Sequence, residues 1–80
     1  MKVYIYVTLK SGVLDPQGQA TEHALKHLGF DGVSSARIGK YIELDVADTT
    51  QKSDVVAMCE GLLANTVVES YRIEMSRDAA

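Results

Sequence analysis

Between Ala36 and Val46, apolar and polar residues alternate with a single exception. The even positions read Ala36, Ile38, Lys40, Ile42, Leu44 and Val46, and only Lys40 breaks their apolar character. The odd positions read Arg37, Gly39, Tyr41, Glu43 and Asp45. Period-two alternation marks a β-strand with one face on a core. The phase holds through Gly39. A two-residue hairpin at Gly39-Lys40 would put Ile38 and Tyr41 on the same face and break the apolar register. One long strand, bent or bulged at the glycine, keeps it. Such a strand outreaches the helices that an 80-residue chain can lay over it. Its far half therefore needs a pairing partner, and a second copy of the chain is the natural one.

Residues 1–80 make one small domain. A domain of this size buries little more than half of its unfolded surface, so its stability margin is thin. Disulfides, metals or oligomerisation usually support such a chain. The single cysteine, Cys59, excludes an internal disulfide, and cysteine and histidine are too few for a structural zinc site. Oligomerisation is left. No apolar run is long enough for a signal sequence or a membrane span, which makes a cytoplasmic chain the expectation. A net charge of -3 without a basic run argues against nucleic acid.

Lys2 to Lys10 alternates cleanly, with Val3, Ile5, Val7 and Leu9 on one side and Tyr4, Tyr6 and Thr8 on the other. Asp15 as N-cap and Pro16 at the first helical position then start a helix. Ala20, Ala24, Leu25 and Leu28 are its buried face, and Gly29 its left-handed stop. After the middle strand, Asp48-Thr49-Thr50 offers capping oxygens for a second helix. Val55, Met58, Cys59, Leu62 and Leu63 form its apolar stripe. Gly61 within it calls for a close neighbour, and Asn65 for a left-handed stop. Val67 to Met75 is the last strand, with Tyr71, Ile73 and Met75 in phase, and Ser76 to Ala80 a polar tail.

The order β-α-β-α-β, with a long bent middle strand, predicts an α+β fold. Its sheet is antiparallel or mixed with both helices on one face, related to the ferredoxin-like sandwich. The opposite face carries Tyr4, Tyr6, Arg37 and Tyr41, three of the four tyrosines of the chain. Tyrosine and arginine are enriched at interfaces, so this face is expected to be covered, with the chain dimerising through its sheet.

Chemistry-bearing residues are sparse. His23 and His27 have the i, i+4 spacing of paired metal ligands, but no third ligand accompanies them, and they read as exposed helix histidines. Cys59 falls on the buried stripe, where a lone cysteine acts as a small apolar residue; no histidine base is near in sequence. Gly12, Gly18, Gly29 and Gly32 lack the spacing of a phosphate loop. Lys40 either snorkels out at the bend or is aimed at a particular acceptor. With no carboxylate dyad, triad or metal cluster, no catalytic residue is assigned. The residues describe a small oligomeric binding module.

Three stretches carry a resemblance. Leu14-Asp15-Pro16-Gln17-Gly18, then Arg37-Ile38-Gly39-Lys40-Tyr41-Ile42-Glu43-Leu44, then Leu62-Leu63-Ala64-Asn65-Thr66-Val67-Val68-Glu69 resemble, in order and spacing, the signatures of the PurS family. That family is the small subunit of phosphoribosylformylglycinamidine (FGAM) synthase. The resemblance implies membership of a glutamine-hydrolysing, ATP-dependent ligase of de novo purine biosynthesis. In it a PurL subunit does the ATP chemistry and a PurQ glutaminase releases ammonia. It implies a non-catalytic bridge, a dimer or a pair of dimers, that joins the two and helps protect ammonia in transit. Ammonia free in neutral water is mostly protonated and lost by diffusion, so a sealed passage raises yield. The complex would use ATP, Mg2+ and glutamine, with no cofactor bound by this chain.

The same resemblance implies that Arg37, Gly39, Lys40 and Tyr41 lie at an interface. Asp15, Pro16, Gln17 and Gly18 would shape a loop and helix start that meets a partner, although Asp15-Pro16 is equally an ordinary capped helix. Asn65 and Thr66 would belong to a third contact region. Two other readings stand beside it: a small dimeric regulatory domain binding an amino acid or nucleotide, and an independent enzyme using Cys59.

Overall fold

The computed structural model describes residues 1–78. Its centre is β1 (Lys2–Leu9), flanked by β2 (Lys40–Asp45) and β3 (Glu69–Met75) in the order β2-β1-β3. Both pairings are antiparallel, with Ile5 opposite Ile42 on one side and Ile73 on the other. Two helices, α1 (Pro16–His27) and α2 (Lys52–Met58), complete an α+β fold. The alternation of β1 has the expected result: Val3, Ile5 and Val7 are buried and share a core cluster with Val55 of α2 and with Cys59, which follows that helix. Ala64 and Met75 close the cluster.

The middle strand is shorter than its alternation suggests. It pairs with β1 only as far as Lys40 opposite Val7. A methyl group at Gly39 would overlap the carbonyl oxygen of Val7, so only glycine lets the backbone press against β1 there. Residues 33–39 run on without a strand partner in the chain. The alternation of Ala36 and Ile38 is that of a strand, but its ladder ends at the glycine.

The first helix begins and ends as its sequence dictates. Asp15 Oδ1 accepts from the Gly18 amide at 2.9 Å, and Pro16 occupies the first turn. At the far end Gly29 takes φ +98°, with Gly29 N–H bonded to Lys26 O and Phe30 N–H to Leu25 O, a Schellman motif. Its position differs from expectation. Ala20, Ala24 and Leu28 are exposed and Leu25 only partly buried; Gly18 is the one buried residue of the helix. Helical periodicity shows that a face is apolar, but not which surface covers it.

The second helix departs from the stripe drawn for it. After Met58 the backbone widens into a π-helical turn, Cys59–Leu63, in which Ala64 N–H reaches Cys59 O at 3.0 Å. The buried positions then run Val55, Cys59, Ala64, steps of four and then five. Leu62 is thereby turned outward, 84% exposed, and Met58 is exposed as well. Gly61 has no neighbour within 4 Å of where a Cβ would sit, so the close contact expected of it is absent among the described residues. The cap also differs: Asp54 Oδ2 accepts from Gln51 N–H at 2.9 Å, in place of oxygens from Asp48, Thr49 or Thr50. Asn65 is not left-handed, because no residue other than glycine has positive φ among those described.

β3 starts at Glu69, two residues later than the pattern suggested, with Tyr71, Ile73 and Met75 on the core side. The polar tail opens with a 3-10 turn, Ser76–Asp78, and Ser76 Oγ accepts from Lys2 N–H at 3.1 Å. Ala79 and Ala80 lie outside the described residues. The molecule measures 49 × 29 × 16 Å with a radius of gyration of 15.8 Å. A compact chain of this length has a radius of gyration of about 12 Å.

Candidate functional site

The three stretches singled out in the sequence meet at one end of the sheet. Asp15, Pro16 and Gln17 from the start of α1, Ile38, Gly39 and Lys40 from the approach to β2, and Glu69 from the start of β3 line a cleft of about 360 Å3. Each stretch arrives there for a local reason. Ser11-Gly12, with Gly12 at φ +86°, turns the chain out of β1. The Asp15-Pro16 cap starts the helix, and the π-turn delivers Leu63 and Asn65 beneath β2.

Asp15 joins two elements. Its Oδ1 caps α1 at Gly18, while its Oδ2 accepts from the Ile38 amide at 3.0 Å. These two amides, with the nearby Arg37 charge, hold its carboxyl below the usual carboxylate range. Gly18 lets the helix start lie directly on residues 36–38, because a methyl group there would overlap the Ala36 carbonyl. Lys40 resolves the choice left open in the sequence: its Nζ donates to Leu63 O at 3.1 Å. A cation there meets the carbonyl end of a helix, where the backbone dipole favours it.

Asn65 knots the third stretch. Its N–H donates to Glu69 Oε1 at 2.7 Å, its Oδ1 accepts from Val67 N–H at 3.2 Å, and its carbonyl accepts from Val68 and Glu69. It is an Asx turn that launches β3. Thr66 stands exposed on that turn, beside Val67 at 82% exposure.

The opposite face of the sheet is aromatic and charged. Tyr41 lies across the ladder from Tyr6, and its ring centroid stands 5.5 Å from that of Tyr6 and 6.3 Å from that of Tyr4. Arg72 lies over the Tyr6 ring at 4.3 Å and binds Glu74 at 2.9 Å. Tyr6 Oη donates to Glu74 at 3.0 Å, and that anionic acceptor raises the phenol above its ordinary range. Lys2 bridges Glu43 and Asp45 at 3.2 and 3.0 Å. Arg37 does not join this face, because the sheet ends at Lys40 and Arg37 sits beyond it, near Asp15. Lys2, Glu43, Arg72 and Glu74 were not singled out in the sequence. The alternate phase of β3, Ser70-Arg72-Glu74, was the available signal.

The remaining candidates hold no such arrangement. His23 and His27 flank Lys26 on the open surface of α1. Among the described residues, no three His, Cys, Asp or Glu side chains gather closely enough to hold a metal ion. Cys59 is fully buried, and burial pushes its thiol up, away from the reactive thiolate.

An open cleft whose Asp15, Lys40 and Glu69 side chains are bonded to the backbone of the chain, together with a preassembled aromatic face, defines a contact-making α+β module. The chain belongs to the PurS family, whose model, described as phosphoribosylformylglycinamidine (FGAM) synthase, matches residues 2–77. It is 49% identical over 81 residues to the Bacillus subtilis phosphoribosylformylglycinamidine synthase subunit PurS, covering 99% of this chain and 96% of that protein. The solved B. subtilis PurS structure superposes with a TM-score of 0.80 at 52% identity, covering 91% of this chain and 94% of that one. A chain of the PurLQS structure from Thermotoga maritima superposes with a TM-score of 0.73 at 33% identity, covering 91% and 93% respectively.

Proposed function

We infer that this chain is the non-catalytic assembly subunit of FGAM synthase in purine biosynthesis. It bridges the glutaminase PurQ and the ATP-dependent synthetase PurL and supports ammonia transfer between them. The observation that carries this reading is the state of the three converging stretches. Asp15, Lys40 and Asn65 are all bonded to backbone groups of their own chain. What these stretches offer outward is a shape, which suits docking better than catalysis or capture of a small charged metabolite. The relation to a chain of the T. maritima PurLQS structure supports the same partners.

The chain works in this role as one PurS-like domain, as a dimer or dimer of dimers in the cytoplasm. No described helix is long and apolar enough to cross a membrane. ATP, Mg2+ and glutamine serve the complex and are held by the larger subunits. Asp15, Pro16, Gln17, Gly18, Arg37, Gly39, Lys40, Asn65 and Thr66 shape the contact end, and Tyr4, Tyr6 and Tyr41 supply a second contact face. Mixing PurL and PurQ with and without this chain tests the reading. Glutamine-dependent synthesis is expected only with the chain, while synthesis from added ammonia proceeds without it. Equal glutamine-dependent rates in both mixtures would overturn the assignment.

A further inference from the structure

Within the single chain the body of α1 is thinly supported: Gly18 is its one buried residue, and Leu25 is only partly buried. A helix of twelve residues is marginal in water on its own, so devices on its own surface matter. Its last two turns carry a cluster of charged and ring side chains. Glu22 Oε2 stands 3.6 Å from Lys26 Nζ and 3.9 Å from His23 Nε2. His23 and His27 share with Lys26 an open concavity of about 270 Å3.

Side chains four apart on a helix lie one above the other, with Cβ atoms about 6 Å apart. A zinc-like cation binds imidazole nitrogen at about 2 Å, so two ligating nitrogens stand within about 4 Å of each other. Two imidazoles at i, i+4 reach that separation by ordinary rotation of their side chains. Both rings are on the surface, with the His23 side chain 72% exposed, so the rotation meets solvent rather than packing.

Charge decides between a cation and an anion. His23, Lys26 and His27 could together attract a phosphate, but they lie at the carbonyl end of the helix. His27 is its last residue, and that end carries about half a negative charge, which favours a cation. The Lys26 ammonium is drawn toward Glu22, which leaves the two imidazoles as the open groups of the concavity. Glu22 beside His23 also supplies a carboxylate of the kind that orients a metal-bound imidazole through its other nitrogen.

We propose that His23 and His27 chelate one divalent transition-metal ion, of the zinc, nickel or copper class, on the last two turns of α1. Two protein ligands are too few for a structural centre, and no third donor joins them among the described residues. Water fills the remaining positions, so the ion exchanges readily. Hard cations such as Mg2+, which prefer oxygen ligands, do not occupy the site. Bound metal ties one turn to the next and holds the helix end against fraying. The clip is independent of the assembly role, and either can fail without the other.

The test is a Zn2+ titration of the full-length, tag-free chain, followed by NMR of the imidazole nitrogens. The His23 and His27 rings should shift together, saturating at one ion per chain, and Mg2+ should leave them unmoved. Cu2+ should bind more tightly than Zn2+. His23→Gln and His27→Gln should each weaken Zn2+ binding by at least about tenfold, because a chelate loses its gain when either arm is removed. Both residues are exposed, so the metal-free variants should keep the circular dichroism of the wild type. Zn2+ should slow hydrogen exchange at the Leu28 amide, bonded to Ala24 O, in the wild type and in neither variant. Rings unmoved by millimolar Zn2+, a shift of one ring alone, or wild-type Zn2+ affinity in His23→Gln would each overturn the chelate.

Discussion

Asp15 Oδ2 accepts a hydrogen bond from the amide of Ile38 at 3.0 Å, across 23 positions of sequence. Through that bond the cap of a helix also fixes the path of the extended segment leading into β2. The depressed carboxyl of Asp15 gives this tie a pH dependence. Its folded pKa lies below its unfolded value, so the stabilisation is present above that unfolded value, about pH 4. It is lost as pH falls through the folded value. Asp15→Asn should lower the melting temperature at pH 7 and flatten the acid limb of a stability-versus-pH curve. Parallel acid limbs for the two proteins would show that the tie is not ionic.

Glycines 18, 39 and 61 separate by environment. Gly18→Ala and Gly39→Ala place methyl groups onto backbone carbonyls and should each cost about 1–3 kcal/mol in urea unfolding. Gly61→Ala meets open space within a helical turn and should be neutral or stabilising by up to about 1 kcal/mol.

The π-turn makes a paired prediction for the apolar stripe. Leu62→Gln should change the stability of the isolated chain by no more than about 0.5 kcal/mol, because the side chain already faces water. Val55→Ala, which removes two buried methyl groups, should cost about 2 kcal/mol. A stripe of purely α-helical phase would make Leu62 the more expensive change.

Lys40 holds the end of that turn through Leu63 O. Lys40→Met should speed hydrogen exchange at the Ala64 amide, which is bonded to Cys59 O, while Lys40→Arg retains most of the protection. Equal protection in Lys40→Met would mean that the lysine does not support the turn.

Tyr6 donates to Glu74, which raises its phenol. A raised acid favours the fold below its unfolded pKa of about 10, and that contribution is lost as pH climbs through the folded value. Glu74→Gln should bring the Tyr6 titration back toward pH 10, read by ultraviolet difference absorbance. Tyr41 and Tyr71, raised chiefly by burial, should titrate as before.

Local chemistry was legible where neighbours in sequence decide the outcome. The buried face of β1, the Asp15-Pro16 start of α1, the Gly29 stop and the in-phase Tyr71, Ile73 and Met75 all follow from patterns a few residues long. The three stretches of the cleft were marked through their resemblance to a family, and the structure supplies the physical reason for their residue types. What could not be read were relationships set elsewhere in the chain. The periodicity of α1 marks an apolar face but does not say where the helix lies, and that face is exposed in the single chain. The π-turn brings both Cys59 and Ala64 into the core cluster with Val3 and Ile5, a tertiary relation that local periodicity does not encode. Asparagine tolerates positive φ, which makes Asn65 a candidate stop, yet its Oδ1 instead accepts from Val67 N–H and starts β3. Counting alternate residues puts Arg37 with the tyrosines only if pairing continues past Lys40, where the ladder ends.

The tie at Asp15 acts as the fulcrum of a lever. A helix of twelve residues is about 18 Å long, so a swing of about 10° at its base moves its tip by about 3 Å. That distance is close to a full side-chain contact, so a small change at the base displaces the Leu28 end by a whole contact distance. The position of the far end of α1 is therefore governed at its base, where Asp15 and Gly18 hold it against residues 36–38. Substitutions at Asp15, Gly18 or Gly39 should impair joining even in a variant whose outward-facing residues are all intact.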